Sequence, residues 1–140
     1  MRQLVRDGKK NPAIRAKALE LTGGLQQKNF VGEIRALHAF VRDRIRYVKD
    51  INGIETVHTP ETLLSVGAGD CDDKATLLAA LLESIGHKTR FWAVGFKPGH
   101  YSHVLVETLV GEKWLPLETT EPVSIGWRPR NVVSEIRRHN

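Results

Sequence analysis

The amino-acid sequence predicts an α+β fold with helices first and a small antiparallel sheet after them. Three observations carry this. Apolar residues recur at helical spacing through residue 85, the period falls to two between residues 89 and 118, and Gly- or Pro-bearing turns separate the later segments. With 140 residues, 41% of them hydrophobic, the chain reads as one domain able to bury a core. The expected layout is a single domain over 1–140, with its core over about 30–120 and a basic tail over 122–140.

Asn11-Pro12 opens the first clear helix, Ala13 to Leu21, with Pro12 in the first turn, where a missing N–H costs nothing. Gly23-Gly24 ends it. A second helix is predicted from about Val31 to Tyr47, because Ile34, Leu37, Val41, Ile45 and Val48 keep a spacing of three to four while Arg and Asp fill the other face. Asp50-Ile51-Asn52-Gly53 reads as a turn, and Thr59-Pro60 starts a short helix over Glu61–Val66.

Gly67-Ala68-Gly69-Asp70 then leads into the most apolar helix of the chain, Cys71 to Ile85. Its Ala and Leu residues cover most of the circumference, which makes it the central core helix. Gly86 supplies its left-handed cap. Thr89–Phe96 and Ser102–Val110 read as strands joined by the Lys97-Pro98-Gly99-His100 turn. Gly111-Glu112 folds the second strand back into a third, Lys113–Glu118. The tail holds Pro122, Gly126 and Pro129, and then a helix-capable end, Val132 to Arg138.

Composition narrows the function. No run of eighteen apolar residues exists, so no membrane span is expected, and the start lacks the apolar region of a signal peptide. One cysteine excludes a disulfide within the chain, and a cytoplasmic location is expected. The net charge of +5 is unevenly spread: residues 1–50 hold 12 Lys and Arg against 5 Asp and Glu, residues 51–121 hold 5 against 10, and residues 122–140 hold 4 against 1. The basic flanks lack interleaved aromatics, so they read as solvated faces rather than a nucleic-acid surface. Asp70-x-Asp72-Asp73 lacks the glycine and glutamate of a calcium loop, with Ala75 and Leu81 in those places, and Cys71, His100 and His103 lack zinc-ligand spacing. No metal or cofactor is expected.

The chemistry centres on Cys71. A thiol attacks as thiolate, and a free cysteine is mostly protonated at neutral pH. A helix N-terminus and a neighbouring imidazolium both favour the anion. Cys71 lies in the first turn of the apolar helix, where Asp70, Asp72 and Asp73 oppose a thiolate, so an imidazolium partner is required. His103, on a strand, is the candidate base. Such a base needs a carboxylate to orient it. Glu107 sits four residues along the same strand, roughly 13 Å away. Glu118, at the end of the next strand, arrives near His103, because the Gly111-Glu112 turn sets residue 103 opposite residue 119 or 120. The Cys71 backbone N–H is the expected oxyanion donor, Tyr47 is a candidate for the second, and His100 is a candidate to line the substrate cleft.

Gly69-Asp70-Cys71-Asp72-Asp73-Lys74-Ala75, continued by Leu77–Leu82 and Ile85-Gly86-His87-Lys88-Thr89-Arg90, resembles the transglutaminase-like family. In that family a G-x-C-x-x-x-A helix runs into a strand. His103 with Val106-Glu107 is similar to its H-x-W-x-E strand, and Gly111 to Glu118 to its g-x-W-x-x-x-D strand. The resemblance covers roughly residues 30–120. It implies a papain-like fold and a Cys-His-Asp triad that falls on Cys71, His103 and Glu118, with Glu in place of Asp and Leu105 in place of the Trp.

The function expected on these grounds is that of a thiol acyl-transfer enzyme of the cysteine peptidase or transglutaminase type. It acts on a protein or peptide through a Cys71 thioester, with hydrolysis favoured. The resemblance implies a bacterial or phage origin, and a phage-encoded chain could associate with a larger complex or virion. The competing expectation is a non-catalytic assembly module that keeps the fold.

Overall fold

The computed structural model describes residues 1–49 and 58–140. The predicted turn at Asp50–Gly53 lies outside them. Five helices, α1 (Arg2–Gly8), α2 (Pro12–Thr22), α3 (Phe30–Arg44), α4 (Pro60–Val66) and α5 (Cys71–Ser84), precede most of the sheet. Two short strands, β1 (Arg46–Tyr47) and β2 (Ala68–Gly69), pair in parallel, and β3 (Thr89–Gly95), β4 (His103–Val110), β5 (Lys113–Leu117) and β6 (Ser134–His139) form an antiparallel sheet ordered β5-β4-β3-β6.

α5 is the hub. Every residue from Asp73 to Leu82 is buried, because α1 to α4 cover one side of the helix and β3 and β4 cover the other. Ile14 and Ala18 of α2, Ile34, Leu37 and Val41 of α3, and Leu63 of α4 meet its Ala and Leu side chains, and Phe91, Val104, Val106 and Leu117 close the core from the sheet. The opposite sheet face carries a smaller cluster of Trp92, Val94 and Leu105, covered by Val132. An all-round apolar helix thus takes a position with neighbours on every side.

The differences from expectation are local. The second helix ends at Arg44 rather than Tyr47 because Arg46 and Tyr47 go extended to pair with Ala68 and Gly69. The tail over Val132–Arg138 is not helical. Its residues join the open edge of β3 as β6, with Phe91 opposite Arg138 and Val94 opposite Glu135, and the unpaired backbone of an edge strand outweighs a weak helical tendency. α1, unmarked by any apolar period, is held by the buried side chain of Val5. No helix among the described residues is long and apolar enough to cross a membrane.

Two glycines shape the approach to the site. A Cβ at Gly69 would stand 2.7 Å from Leu63 Cδ1 and 2.8 Å from Asp73 Cβ, so only glycine lets β2 pass this close to α5. A Cβ at Gly95 would overlap the His100 carbonyl oxygen, because the β3–β4 connection folds back on the strand.

Candidate active site

Cys71 is the first residue of α5 and is half-buried. Asp70 and Asp73 form a reciprocal capping box: Asp70 Oδ1 accepts from the Asp73 N–H at 2.9 Å, and Asp73 Oδ2 accepts from the Asp70 N–H at 3.2 Å. Asp73 also accepts the His58 N–H at 3.1 Å. These bonds fix the helix start, and the Cys71 N–H belongs to the first turn, whose N–H groups have no carbonyl partner within the helix. Cys71 Sγ lies 3.9 Å from Asp72 Oδ1.

His103 opens β4 and meets the cysteine from the sheet side. Its Nε2 lies 2.6 Å from Glu118 Oε2, which leaves Nδ1 for the thiol. Burial alone would depress the imidazole pKa; the hydrogen bonds to Cys71 and Glu118 and the charge of both outweigh it and lift His103 to about 10. At neutral pH the ring is therefore an imidazolium that donates Nε2–H to Glu118.

Glu118 follows β5 by one residue. The β4–β5 register, with Val106 opposite Leu117 and Val110 opposite Lys113, extends to place residue 103 opposite residue 120. The Glu118 side chain reaches across that offset. It is 1% exposed, and its second oxygen accepts the Thr120 N–H at 2.8 Å. The Glu118 carbonyl accepts a 2.6 Å bond from His38 Nε2. Burial holds His38 below its ordinary pKa, so the ring is neutral with its proton on Nε2. Lys74 is also buried one turn along from Cys71, and its Nζ donates to the Arg42 carbonyl at 3.3 Å. Burial lowers the Lys74 pKa, and the Glu118 charge opposes that loss.

The reactive pair opens into a cleft of about 560 Å³ lined on its apolar side by Phe91, Ala93 and Val104, and on its polar side by Tyr101, Ser102, Arg2, Arg138 and Asp72. His100 does not line it. That residue bridges back to Lys97 in the turn, and its neighbour Tyr101 faces the cleft instead. Tyr47 is not among the lining residues either; its backbone pairs with Gly69, two residues before Cys71. The structure therefore brings Cys71, His103 and Glu118 together and leaves Tyr47 and His100 outside the cleft.

Two residues around Glu118 carry signals in the sequence beyond the expected triad. His38 occupies the apolar stripe of α3, one turn from Ile34 and from Val41, and Lys74 is the one cation of α5, just ahead of its Ala and Leu run. Arg2, Tyr101 and Arg138 carry no such signal, since their place depends on how α1, the β3–β4 loop and β6 converge. No cluster of His, Cys, Asp and Glu suited to a metal ion occurs among the described residues.

A cysteine at the head of a central helix, set against the end of an antiparallel sheet, is the arrangement of the papain-like folds. The chain belongs to the transglutaminase-like superfamily, whose core sequence model matches residues 15–119. Three solved structures illustrate the likeness. A candidate protease from Parabacteroides distasonis superposes with a TM-score of 0.68 at 19% identity, over 84% of this chain and 25% of that one. A candidate cysteine protease from Cytophaga hutchinsonii gives 0.63 at 17% identity, over 91% and 46%. LapG of Legionella pneumophila gives 0.59 at 16% identity, over 86% and 72%. The chain thus spans a quarter to about half the length of the first two, and at these identities the likeness is one of fold. No curated protein matches the chain.

Proposed function

We propose that this chain is a thiol acyl-transfer enzyme of the cysteine peptidase type, with Cys71 as nucleophile, His103 as acid and base, and Glu118 as the carboxylate that orients His103. The observation that carries this reading is the buried 2.6 Å pair of Glu118 and His103 beside a helix-start cysteine in an open cleft. A purely structural cysteine has no need of an oriented, charged imidazole beside it.

In the reaction the Cys71 sulfur attacks the carbonyl carbon of a peptide or side-chain amide. The oxygen takes the negative charge and meets the N–H groups at the start of α5. The carbon–nitrogen bond then breaks, the His103 proton passes to the departing amine, and an acyl thioester remains on Cys71. Water adds to the thioester while His103 takes up its proton, and the acid leaves with the sulfur restored. Glu118 keeps the ring oriented and offsets its charge throughout. The likeness to two candidate proteases supports water as acceptor over an amine, and a protein or peptide as substrate.

An activated ester, p-nitrophenyl acetate, tests the reading. Wild-type protein should release a stoichiometric burst of p-nitrophenol and carry one acetyl group on Cys71, and the C71S and H103A variants should show no burst. An acetyl group absent from Cys71 in wild-type protein would overturn the reading in favour of an assembly module that keeps the fold.

A further inference from the structure

The cleft is electrically one-sided. Arg2, from the start of α1, and Arg138, from β6, both line it beside Cys71 and His103. Neither guanidinium has a carboxylate within salt-bridge distance among the described residues. The side-chain contact of Arg138 there is to the Arg137 carbonyl at 3.4 Å. Other arginines of the same sheet are partnered: Arg90 and Arg137 lie 2.8 and 2.9 Å from Glu107. Among the described residues Asp72 is the carboxylate that lines the cleft, and it sits at the sulfur end, 3.9 Å from Cys71 Sγ.

Arg138 is placed by strand pairing rather than by chance. Its partner on β3 is Phe91, and both line the cleft, so strand register brings the arginine and an apolar side chain to the same cleft. Arg2 approaches from α1, which packs on α5. Two cations from elements far apart in sequence thus converge on the one cleft that also holds the reactive pair.

The geometry points to a substrate whose scissile amide is flanked by carboxylate side chains: an acidic peptide segment held by Arg2 and Arg138. This rests on the acyl-transfer reading and adds the substrate class to it. A guanidinium without an ion-pair partner at the rim of a cleft offers a planar, two-pronged donor to a carboxylate. It gives up no carboxylate of the described chain on binding, so its interaction goes to the ligand. A basic segment in the same cleft would meet like charge from both arginines and from the His103 imidazolium.

Tripeptidyl chloromethyl ketones that alkylate Cys71, carrying Glu, Ala or Lys in the two residues behind the reactive group, give the test, with neutral iodoacetamide as reference. Wild-type protein should be alkylated by the Glu probe about tenfold faster than by the Ala probe, and by the Lys probe slower than by either. The Glu-to-Ala rate ratio should fall about threefold to fivefold in R138Q and again in R2Q, and 0.5 M salt should compress it in the wild type. R138E should invert the order of the Glu and Lys probes. Equal rates for the three probes, with iodoacetamide still reacting rapidly, would overturn the acidic-substrate inference and leave the thiol chemistry standing. Slow labelling by every reagent would remove both.

Discussion

Glu118 reaches His103 from beyond the end of β5, and its 2.6 Å contact is made by a carboxylate that is almost wholly buried. The longer arm of glutamate suits this geometry, because the register sets residue 120, not 118, opposite the histidine. An isosteric amide at this position keeps the shape but loses the charge. E118Q is therefore expected to lower acyl-transfer rates by about 100-fold or more. E118D, which keeps the charge on a shorter arm, should fall between E118Q and wild type. Burst kinetics with the activated ester measure all three.

The His103 pKa of about 10 makes a second prediction, with a definite sign. The folded state holds this proton more tightly than the unfolded chain, where histidine titrates near 6.5. The resulting stabilisation is complete below pH 6.5 and is lost as the pH rises from 6.5 through about 10. Because a Cys71 thiolate beside the ring offsets this proton until the unfolded thiol itself titrates near 8.5, urea midpoints should decline between about pH 8.5 and pH 10, and E118Q should flatten that decline. Histidine NMR gives the direct readout: the His103 ring should keep imidazolium shifts past pH 8.

His38 donates to the Glu118 carbonyl from the interior of α3. Removing the donor leaves a buried carbonyl unsatisfied, a loss of about 1–3 kcal/mol. H38L should show that loss in denaturant unfolding together with slower acylation, because the backbone that carries Glu118 is no longer tied to the helix. H38Q, which keeps an N–H donor, should recover part of both.

Gly95 sets the turn that carries Tyr101, Ser102 and His103 into the cleft. Since a Cβ there overlaps the His100 carbonyl oxygen, the connection must move. G95A is expected to destabilise the protein by about 1–3 kcal/mol and to depress Cys71 labelling more than G111A does, although Gly111 has a positive φ of 61°. Thermal melts alongside labelling rates separate the two effects.

Helices α2 to α5, the sheet meander and the Cys71–His103–Glu118 grouping are legible in the sequence for one physical reason. Each rests on local signals: the apolar Ala and Leu run after a glycine loop, the change of period at Thr89, and a two-residue turn at Gly111-Glu112 that sets strand register. Where expectation and structure part, long-range pairing decides the outcome. Tyr47 leaves its helix because Gly69 offers a strand partner, and the segment around Ile136 becomes β6 because β3 has an open edge. The cleft is least legible, since Arg2 and Arg138 meet there only after both ends of the chain have folded onto α5 and β3. His38 and Lys74 fall between these cases: a polar residue on an apolar face marks a buried role, but its partner is known only once β5 has been placed.

Whether Cys71 and His103 act as a charged pair is tested most directly by the rate of Cys71 alkylation by iodoacetamide as a function of pH. A charged pair predicts rapid labelling of wild-type protein well below pH 7, with a rate that changes little up to pH 8. It further predicts that H103A shifts the profile to that of an ordinary thiol titrating near pH 8.5. A wild-type profile that already follows the ordinary thiol, unchanged by H103A, would contradict it.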